Sequence, residues 1–436
     1  MVEAGEHDDD VTATPPIDLT FTAAGNLYAT HAIHAFAARC PPPLVDWAIS
    51  RYSAPGETVL DPMAGSGTSL LEACLLGRAA RGADIDPLGR LIAKAKATPV
   101  DLDEYDKAVT EVERLLDGAA RDDGWRPDLP DLDYWFREDV TVDLARLRNA
   151  IREVGIGQDV RDVLWVAFSS LIVGRTSVAN ARDLVHSRHH HRAWTTNPDV
   201  PARFLTRTRQ IRRMLSGYRA ELNRREITEP DIAIVGDDAR ALPLGDGSID
   251  LVFTSPPYCS ALDYTRAHIF AVGWLADVLA TTVTDYRSLG RRYVGSERAP
   301  LAEAGPSRPL PPALGVPGID AVLVELADAP KRAWIVHRYF RDMAAVMAEA
   351  ARVVKPGGHV VLVVCPSNIR RVPIATHRLL TELAGTAAAG RRLALVACYE
   401  RTIHDHRRVM PYLETAFGPR MRTEYVLVLQ RPASDP

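Results

Sequence analysis

The segment ETVLDPMAGSGTSLLEACLLG occupies residues 57–77 and carries the strongest local signal in the chain. A short apolar run is followed by two closely spaced glycines, Gly65 and Gly67, and then by apolar residues at helical spacing. This order predicts a strand over 57–61, a tight loop, and a helix over 69–76. Glycines in such a loop let a ligand approach the backbone closely, because no Cβ stands in the way.

A second strand is predicted directly after this helix, over 78–85, with Asp84 near its end. Two strands joined by a helix form a βαβ unit in which the strands are parallel. Open sheets of this kind bind ligands at the carboxyl ends of their strands. Asp84 follows the glycine loop by about twenty residues, where it could accept hydrogen bonds from two ribose hydroxyls or instead cap the next helix.

The remaining strand signals predict a larger sheet. The last two predicted strands suit an antiparallel hairpin at a sheet edge. The chain is therefore predicted to be an α/β protein with a Rossmann-like, mostly parallel sheet, an antiparallel C-terminal edge and a helical insertion. The predicted strands lie at 231–236, 249–254, 359–365, 392–399 and 423–429.

The distribution of these patterns divides the chain into four regions. Residues 1–20 are acidic and are expected to form a flexible tail. Residues 101–228 lack strand signals and are expected to form a helical, basic insertion that contacts nucleic acid. The sheet domain is predicted from 21–100 and 229–436, and the Pro-, Gly- and Arg-rich residues 286–330 are predicted to be a loop insertion within it.

The amino-acid composition and net charge exclude several classes of protein. Of the 436 residues, 47% are apolar and 25% charged, which is typical of a globular protein and excludes a disordered or collagen-like chain. The net charge of −4 excludes a polybasic nucleic-acid coat, although residues 175–225 carry twelve Arg against three acidic residues. The sequence shows no signal peptide, no long apolar run and no C-x-x-C pair, so we expect a cytoplasmic protein without disulfides or structural zinc.

A second motif, TSPPY, follows the predicted strand at 249–254. Its two prolines, Pro256 and Pro257, hold the chain rigid and remove two amide donors, which leaves carbonyl groups free to face a cleft. Ser255 adds a small hydroxyl, and Tyr258 offers a flat face against which a planar base could stack.

Together, D-P-x-x-G-S-G-T and T-S-P-P-Y resemble the motif pair of the amino-group DNA methyltransferases, which transfer a methyl group from S-adenosylmethionine to N4 of cytosine or N6 of adenine. The resemblance extends over most of the sheet-forming chain. It implies a methyltransferase sheet, S-adenosylmethionine as cofactor and double-stranded DNA as partner. The cofactor contacts that it implies in this part of the chain are Asp61, Pro62, Ala64, Gly65, Gly67, Thr68 and Asp84.

Two further segments are similar to motifs of this family. The segment HAFAAR, residues 34–39, resembles the one that closes over the methionine end of the cofactor, which implies a contact through His34. The segment GDDAR, residues 236–240, resembles the one whose acidic residue meets the adenine amino group. That residue would be Asp238, with Asp237 as the alternative.

The resemblance also implies the chemistry. An exocyclic amino nitrogen can attack a sulfonium methyl group directly, so no catalytic cysteine is needed and Cys259 is interpreted as a packing residue. Hydrogen bonds to the Ser255 hydroxyl and the Pro256 carbonyl would localise the nitrogen lone pair and aim it at the methyl group. Tyr258, after the rigid Pro257, would stack on a flipped base. The serine favours cytosine N4, because the adenine enzymes that this chain resembles mostly carry Asp or Asn there.

Basic residues supply the candidate DNA contacts. Phosphate contacts of this kind set affinity and its salt dependence, although any one Arg could equally be a solvated or salt-bridged surface residue. His186 and the run 189–191 are interpreted as a polar or phosphate-facing loop without a metal. The predicted phosphate contacts are Arg207, Arg209, Arg212, Arg213, Arg291 and Arg292.

Three alternatives to cytosine-N4 methylation stay open. The enzyme could methylate adenine N6, or an amino group in RNA such as tRNA guanine, although no RNA-binding module is evident. The chain could also be a catalytically silent partner subunit that binds nucleic acid. A cognate restriction or defence nuclease is a further open partner.

Overall fold

The computed structural model describes residues 19–21, 28–36, 39–119, 122–172, 177–179, 198–259, 264–296, 309–386, 391–403 and 423–434. The strands are β1 Thr58–Asp61, β2 Ala79–Ala83, β3 Ile232–Gly236, β4 Ile249–Thr254, β5 Val354–Val364, β6 Ser367–Ile369, β7 Val372–Ile374, β8 Ala394–Thr402 and β9 Thr423–Gln430. The helices are α1 Pro42–Tyr52, α2 Thr68–Leu75, α3 Pro87–Ala97, α4 Leu102–Arg114, α5 Leu132–Trp135, α6 Glu138–Glu153, α7 Gln158–Ile172, α8 Val200–Arg224, α9 Tyr264–Trp274, α10 Val283–Leu289, α11 Pro317–Glu325, α12 Pro330–Val353 and α13 Thr376–Ala384.

The main sheet has seven strands in the order β3-β2-β1-β4-β5-β9-β8. The first five are parallel to one another, and β9 is antiparallel to both of its neighbours, β5 and β8. The predicted α/β class, with a mostly parallel sheet and an antiparallel edge, is confirmed. The chain order reverses between β1 and β4, and this switch point is where open α/β sheets bind ligands.

Local sequence accounts for how the first helices begin. α1 starts at a proline in the first turn, where the missing N–H has no intrahelical role. α3 starts after Asp86, whose carboxylate accepts a hydrogen bond from the Leu88 N–H at 3.0 Å. The cap of this helix is therefore Asp86 and not Asp84, so Asp84 keeps a different set of partners.

Helices cover both faces of the sheet. Residues of α1, α2 and α3 pack on one face, and residues of α11, α12 and α13 pack on the other. The helices α4, α6, α7 and α8 form a further core with the outer side of α3 and with α9. The helical segment between β2 and β3 is thus packed against the first βαβ unit. The domain boundaries drawn from the sequence remain a prediction.

The stretch 286–330, predicted to be a loop insertion, contains helical segments. This stretch includes the end of α10, all of α11 and the first residue of α12. Pro317 and Pro330 stand in the first turns of α11 and α12, where proline is compatible with a helix.

Several predicted features lie outside the described residues. They are most of the acidic tail (1–18), residues 297–308, and His186 with the run 189–191. Across the part of the chain that the structure describes, no helix is both long and apolar enough to cross a membrane.

Candidate active site

The two sequence motifs meet at neighbouring strand ends. β1 and β4 are parallel neighbours, and Leu60 is in register with Val252. The glycine loop therefore leaves the sheet beside the S-P-P-Y loop, at the same edge. The two loops thus follow adjacent parallel strands and share one side of the molecule.

The glycine loop is held against the end of β2. The N–H of Ala64 donates to the carbonyl of Ala83 at 2.9 Å, and the N–H of Gly65 donates to the Asp84 carboxylate at 2.7 Å. Gly65 has a φ of +51°, and a Cβ there would lie 3.2 Å from the ring of Phe36. Gly65 thus leaves a narrow space between the loop and the N-terminal segment.

Other predicted loop residues are less accessible than Gly65. Pro62, Ala64 and Thr68 are buried, and Thr68 is the first residue of α2. A Cβ on Gly67 would lie 2.6 Å from the Cα of Ala93 in α3. Gly67 therefore serves the packing of α2 against α3, which corrects the expectation that its missing side chain makes room for a ligand.

The carboxylate of Asp61 stabilises the glycine loop through hydrogen bonds. One carboxylate oxygen accepts from the N–H of Met63 at 3.1 Å, and the other accepts from the hydroxyl of Ser69. Burial raises the pKa of Asp61 to about 6, against the lowering effect of the Ser69 hydrogen bond. These contacts join the end of β1 to the first turn of α2 and set the shape of the loop.

Asp84 accepts from two backbone groups at once. Its second oxygen accepts from the N–H of Asp86 at 2.8 Å, in addition to the bond from Gly65. Burial, and next the nearby Asp86 carboxylate, raise the pKa of Asp84 to about 7. Each carboxylate oxygen has two acceptor sites, so Asp84 can still accept bonds from ligand hydroxyls.

The raised pKa of Asp84 predicts a pH dependence of stability. Folded Asp84 keeps its proton up to about pH 7, whereas the unfolded residue loses it near 3.8. The tighter binding of this proton in the folded state stabilises the protein. This stabilisation is fully present below pH 3.8 and is lost as the pH rises through 7. Relative to wild type, Asp84→Asn should gain stability over this window by at most about 1.4 kcal/mol per pH unit. A constant loss is superimposed, because an amide NH₂ cannot accept a backbone hydrogen bond.

Asp231→Asn is the matched control. The hydrogen bond from Arg81 lowers the pKa of Asp231, so its contribution is present above its ordinary pKa and is lost as the pH falls. The control should therefore lose stability relative to wild type as the pH rises from 3 to about 5. Urea unfolding over this series of pH values measures both differences. A pH-independent difference for Asp84→Asn would contradict the environment described for this carboxyl.

Asp238 is engaged by guanidinium groups. Arg240 donates to both of its oxygens at 2.8 and 2.9 Å, and Arg292 donates to one of them at 3.3 Å. Burial raises the pKa of Asp238, but these hydrogen bonds outweigh it and hold the pKa below its ordinary value. An adenine amino group would have to share a carboxylate that Arg240 already binds in a bidentate manner. Asp237, the alternative, is exposed.

His34 is buried next to this edge of the sheet. Its Nδ1 lies 2.7 Å from the carbonyl oxygen of Ala35, so Nδ1 carries the proton and donates. Burial, and next the neighbouring His268, lower the pKa of His34 to about 3, so the ring is neutral. Its Nε2 is a buried acceptor without a hydrogen-bond partner among the described residues. It is suited to accept a hydrogen bond from an N–H or O–H group of a ligand.

The S-P-P-Y loop is anchored at both ends. The hydroxyl of Ser255 donates to the carbonyl of Val363 at 3.3 Å, and the hydroxyl of Tyr258 donates to Glu424 at 2.6 Å. Burial, and next the Glu424 carboxylate, raise the pKa of Tyr258 well above its ordinary value, so the phenol stays protonated. Pro256 is buried and Pro257 is half-buried.

Several side chains at this edge were not predicted from the sequence. The ring of Tyr264 is nearly parallel to those of Phe36 and Tyr293, with centroids 5.9 and 6.1 Å away. Burial raises the pKa of both Tyr264 and Tyr293, and the Asp84 and Asp86 carboxylates add to this rise, so both rings lie near the end of β2. No spacing rule links these three aromatic residues, which come from three separate segments.

The arginines predicted to contact phosphates differ in exposure and in their contacts within the protein. Arg207 is corrected to an internal contact, because its guanidinium donates to the carbonyls of Ala32 and Ile33 at 3.0 and 2.6 Å. Arg212 contacts both carboxylate oxygens of Asp106 through Nε, at 2.8 and 2.9 Å. The exposed members of the set are Arg209, Arg213, Arg291 and Arg292, the last of which also contacts Asp238.

The chain is similar in sequence to known DNA-modifying methyltransferases. The model of the N6/N4 methyltransferase family, described as DNA methylase, matches residues 17–94, which include the glycine loop and Asp84. The type II methyltransferase M.MvaI of Kocuria varians is 25% identical over 371 residues, which cover 81% of this chain and 80% of that protein. M.BsoBI of Geobacillus stearothermophilus is 24% identical over 50% of this chain and 47% of its own length. M.MjaII of Methanocaldococcus jannaschii is 32% identical over 82 residues, 19% of this chain and 16% of its own.

The matches cover the glycine-loop segment through the family model and most of the chain through the first of these relatives. The match to the family model and the similarity to the type II relatives support an amino-group DNA methyltransferase of the cytosine-N4 or adenine-N6 type.

Proposed function

We propose that this DNA methyltransferase methylates the exocyclic N4 of a cytosine that is flipped out of duplex DNA. The proposal rests on the presence of a serine, Ser255, as the first residue of the S-P-P-Y loop. Ser255 follows the end of β4, beside the strand that leads to the glycine loop. The relatives are type II methyltransferases, which supports duplex DNA as substrate and the cytoplasm as the place of action.

S-adenosylmethionine is the methyl donor of the family, and this chain offers groups that fit it. Gly65 leaves a space without a Cβ beside Phe36, and Asp84 presents acceptor sites at the end of β2. His34 adds the acceptor Nε2, which has no hydrogen-bond partner in the part of the chain that the structure describes and suits an N–H donor such as the ammonium group of the methionine end. We propose that Gly65, Asp84 and His34 hold the cofactor, with Asp61 shaping the loop behind them.

The target amino group would be held by acceptors of the S-P-P-Y loop. Because the Ser255 hydroxyl donates its proton to Val363, its oxygen is left to accept a hydrogen bond from the amino group. The Pro256 carbonyl offers a second acceptor. Two such bonds orient the nitrogen lone pair toward the methyl group and withdraw it from conjugation with the ring.

The thiol of Cys259 has no role in this chemistry. Cys259 is buried, and burial raises its pKa to about 12, so the group stays a neutral thiol at physiological pH. Attack by the amino nitrogen itself needs no covalent intermediate.

Transfer of a labelled methyl group tests the proposal. The protein is incubated with labelled S-adenosylmethionine and either unmethylated plasmid DNA or bulk tRNA, and the nucleic acid is then digested to nucleosides. The expected label is in N4-methyldeoxycytidine. Label in N6-methyldeoxyadenosine would support the adenine alternative, label in tRNA would support an RNA enzyme, and no label in either would favour the silent partner subunit. Digestion of host DNA in cells that lack the gene would reveal a cognate nuclease.

We also propose that the exposed side of α8 contacts DNA phosphates. Arg209 and Arg213 lie four residues apart on this helix and are both exposed, whereas Arg207 and Arg212 are engaged within the protein. Residues four apart share one face of a helix, so the two exposed groups can meet one stretch of backbone. The same role is proposed for the exposed Arg291.

Arg209→Ala combined with Arg213→Ala should weaken DNA binding without changing cofactor affinity. Loss of two phosphate contacts should reduce the slope of log K against log salt by about 2. Fluorescence anisotropy of labelled duplex DNA at several salt concentrations measures this slope. The control is the double Lys variant, which keeps both charges and should keep the slope. An unchanged slope in the Ala variant would remove this face from the DNA interface.

A further inference from the structure

The side chain of Tyr258 is tied to a distant part of the sheet. Its hydroxyl donates to Oε1 of Glu424 at 2.6 Å, across 166 residues of sequence. Tyr258 follows β4, whereas Glu424 is the second residue of β9, and β5 lies between these two strands. The contact therefore joins the catalytic loop to the antiparallel edge of the sheet.

Glu424 is itself held by a second partner. Arg401 of β8 is its register partner, and the Arg401 Nη1 lies 3.1 Å from Oε2 of Glu424. The side chain of Arg401 is 2% exposed and that of Glu424 is 14% exposed. Tyr258 thus forms a hydrogen bond with one carboxylate oxygen and Arg401 forms an ion pair with the other, and the burial of Arg401 limits the freedom of this pair to reorient.

The tie restricts the ring of Tyr258 in two ways. The phenolic oxygen lies on the axis of the ring, so anchoring it fixes the direction in which the ring points. A phenolic O–H also lies close to the ring plane, so the bond to Oε1 disfavours rotation of the ring about that axis. A ring ordered before the base arrives does not have to lose that freedom when the base stacks on it.

We propose that Glu424, held by Arg401, is a positioning residue that orients Tyr258 for stacking on the extruded target base. This inference rests on the proposed function, since it takes Tyr258 as the stacking side chain. Glu424 acts through Tyr258 and has no direct role toward the methyl group.

Three variants test the proposal by single-turnover methyl transfer from labelled S-adenosylmethionine to unmethylated plasmid DNA. Tyr258→Phe keeps the ring and removes the hydroxyl, and it should lower the rate constant by about tenfold to a hundredfold, the range for a hydrogen bond to a charged group. Glu424→Ala should lower it to a similar extent. Glu424→Gln keeps an acceptor for Tyr258 and should recover much of the rate. Cofactor affinity, measured by calorimetry, should be unchanged in all three.

The double variant Tyr258→Phe with Glu424→Ala separates positioning from a general structural role. If Glu424 acts through the hydroxyl, the double variant is no slower than the slower single variant. If the two losses multiply, Glu424 acts independently of Tyr258 and the proposal is overturned. The matched control is Tyr425→Phe, the next residue of β9, which should keep the wild-type rate.

The outcomes also distinguish this inference from the proposed function. Wild-type transfer to DNA with an unchanged rate in Tyr258→Phe overturns the inference and leaves the proposed function intact. No transfer to DNA by the wild-type protein overturns both. If Glu424→Ala does not fold, Glu424→Gln and Tyr258→Phe still decide, because each removes only part of the contact.

Discussion

Ser255→Ala combined with Tyr258→Ala is expected to lower the rate of methyl transfer by about two to four orders of magnitude. The serine oxygen is the acceptor that we assign to the target amino group, and the tyrosine ring replaces the stacking that the base loses on leaving the helix. Both side chains lie at the end of β4, so neither contributes to the glycine loop. The affinity for S-adenosylmethionine should therefore stay close to that of wild type.

Rapid-quench assays with DNA in excess measure the rate, and calorimetry measures the affinity. Cys259→Ala provides the neighbouring control, because this thiol is buried and is expected to contribute only packing. Turnover of the double variant within a few-fold of wild type would exclude the S-P-P-Y loop from the chemistry. A parallel loss of cofactor affinity would instead show that the two loops share one binding site.

Gly67→Ala should destabilise the protein by about 2–5 kcal/mol, the sum of backbone strain and overpacking. Gly67 has a φ of +75°, which L residues with a side chain rarely adopt. The added Cβ would also lie 2.6 and 2.8 Å from the Cα and Cβ of Ala93. These atoms belong to the backbone and the short side chain of α3, so relief requires α2 and α3 to move apart.

Gly56→Ala separates the two causes. Gly56 has a φ of +84°, but a Cβ there would meet no atom of the described residues within 4 Å. This control should lose only the strain, about 1 kcal/mol. Urea unfolding of both variants gives the comparison. Equal losses would contradict the close contact of α2 with α3 that the structure describes.

The sequence predicted the parts of this molecule that depend on local pattern. The strand, glycine loop and helix around Gly65, and the end of β4, follow from apolar runs, glycines and prolines that act within a few residues. Tertiary contacts determined the features that the sequence did not predict. Gly67 is a glycine because α3 passes close to it, and the guanidinium of Arg207 is used by the N-terminal segment. Neither partner can be identified from the spacing of the residues.

The same limit applies to the candidate site. The end of β2 was found because Asp84 follows the glycine loop at a recognisable distance. Glu424 was not found, because it belongs to a strand whose place beside β5 is set by the whole sheet. One signal was available in its sequence: an acidic residue at the start of an otherwise apolar strand, which needs a partner when it is buried.

The position of β9 has a consequence for folding. β8 is synthesised before β9, yet β9 lies between β5 and β8. The strand made earlier therefore cannot join the sheet until the later one has emerged from the ribosome and paired with β5. We infer that the nascent chain up to β8 exposes an unpaired edge on β5, which makes this interval the period of greatest risk of aggregation during biosynthesis.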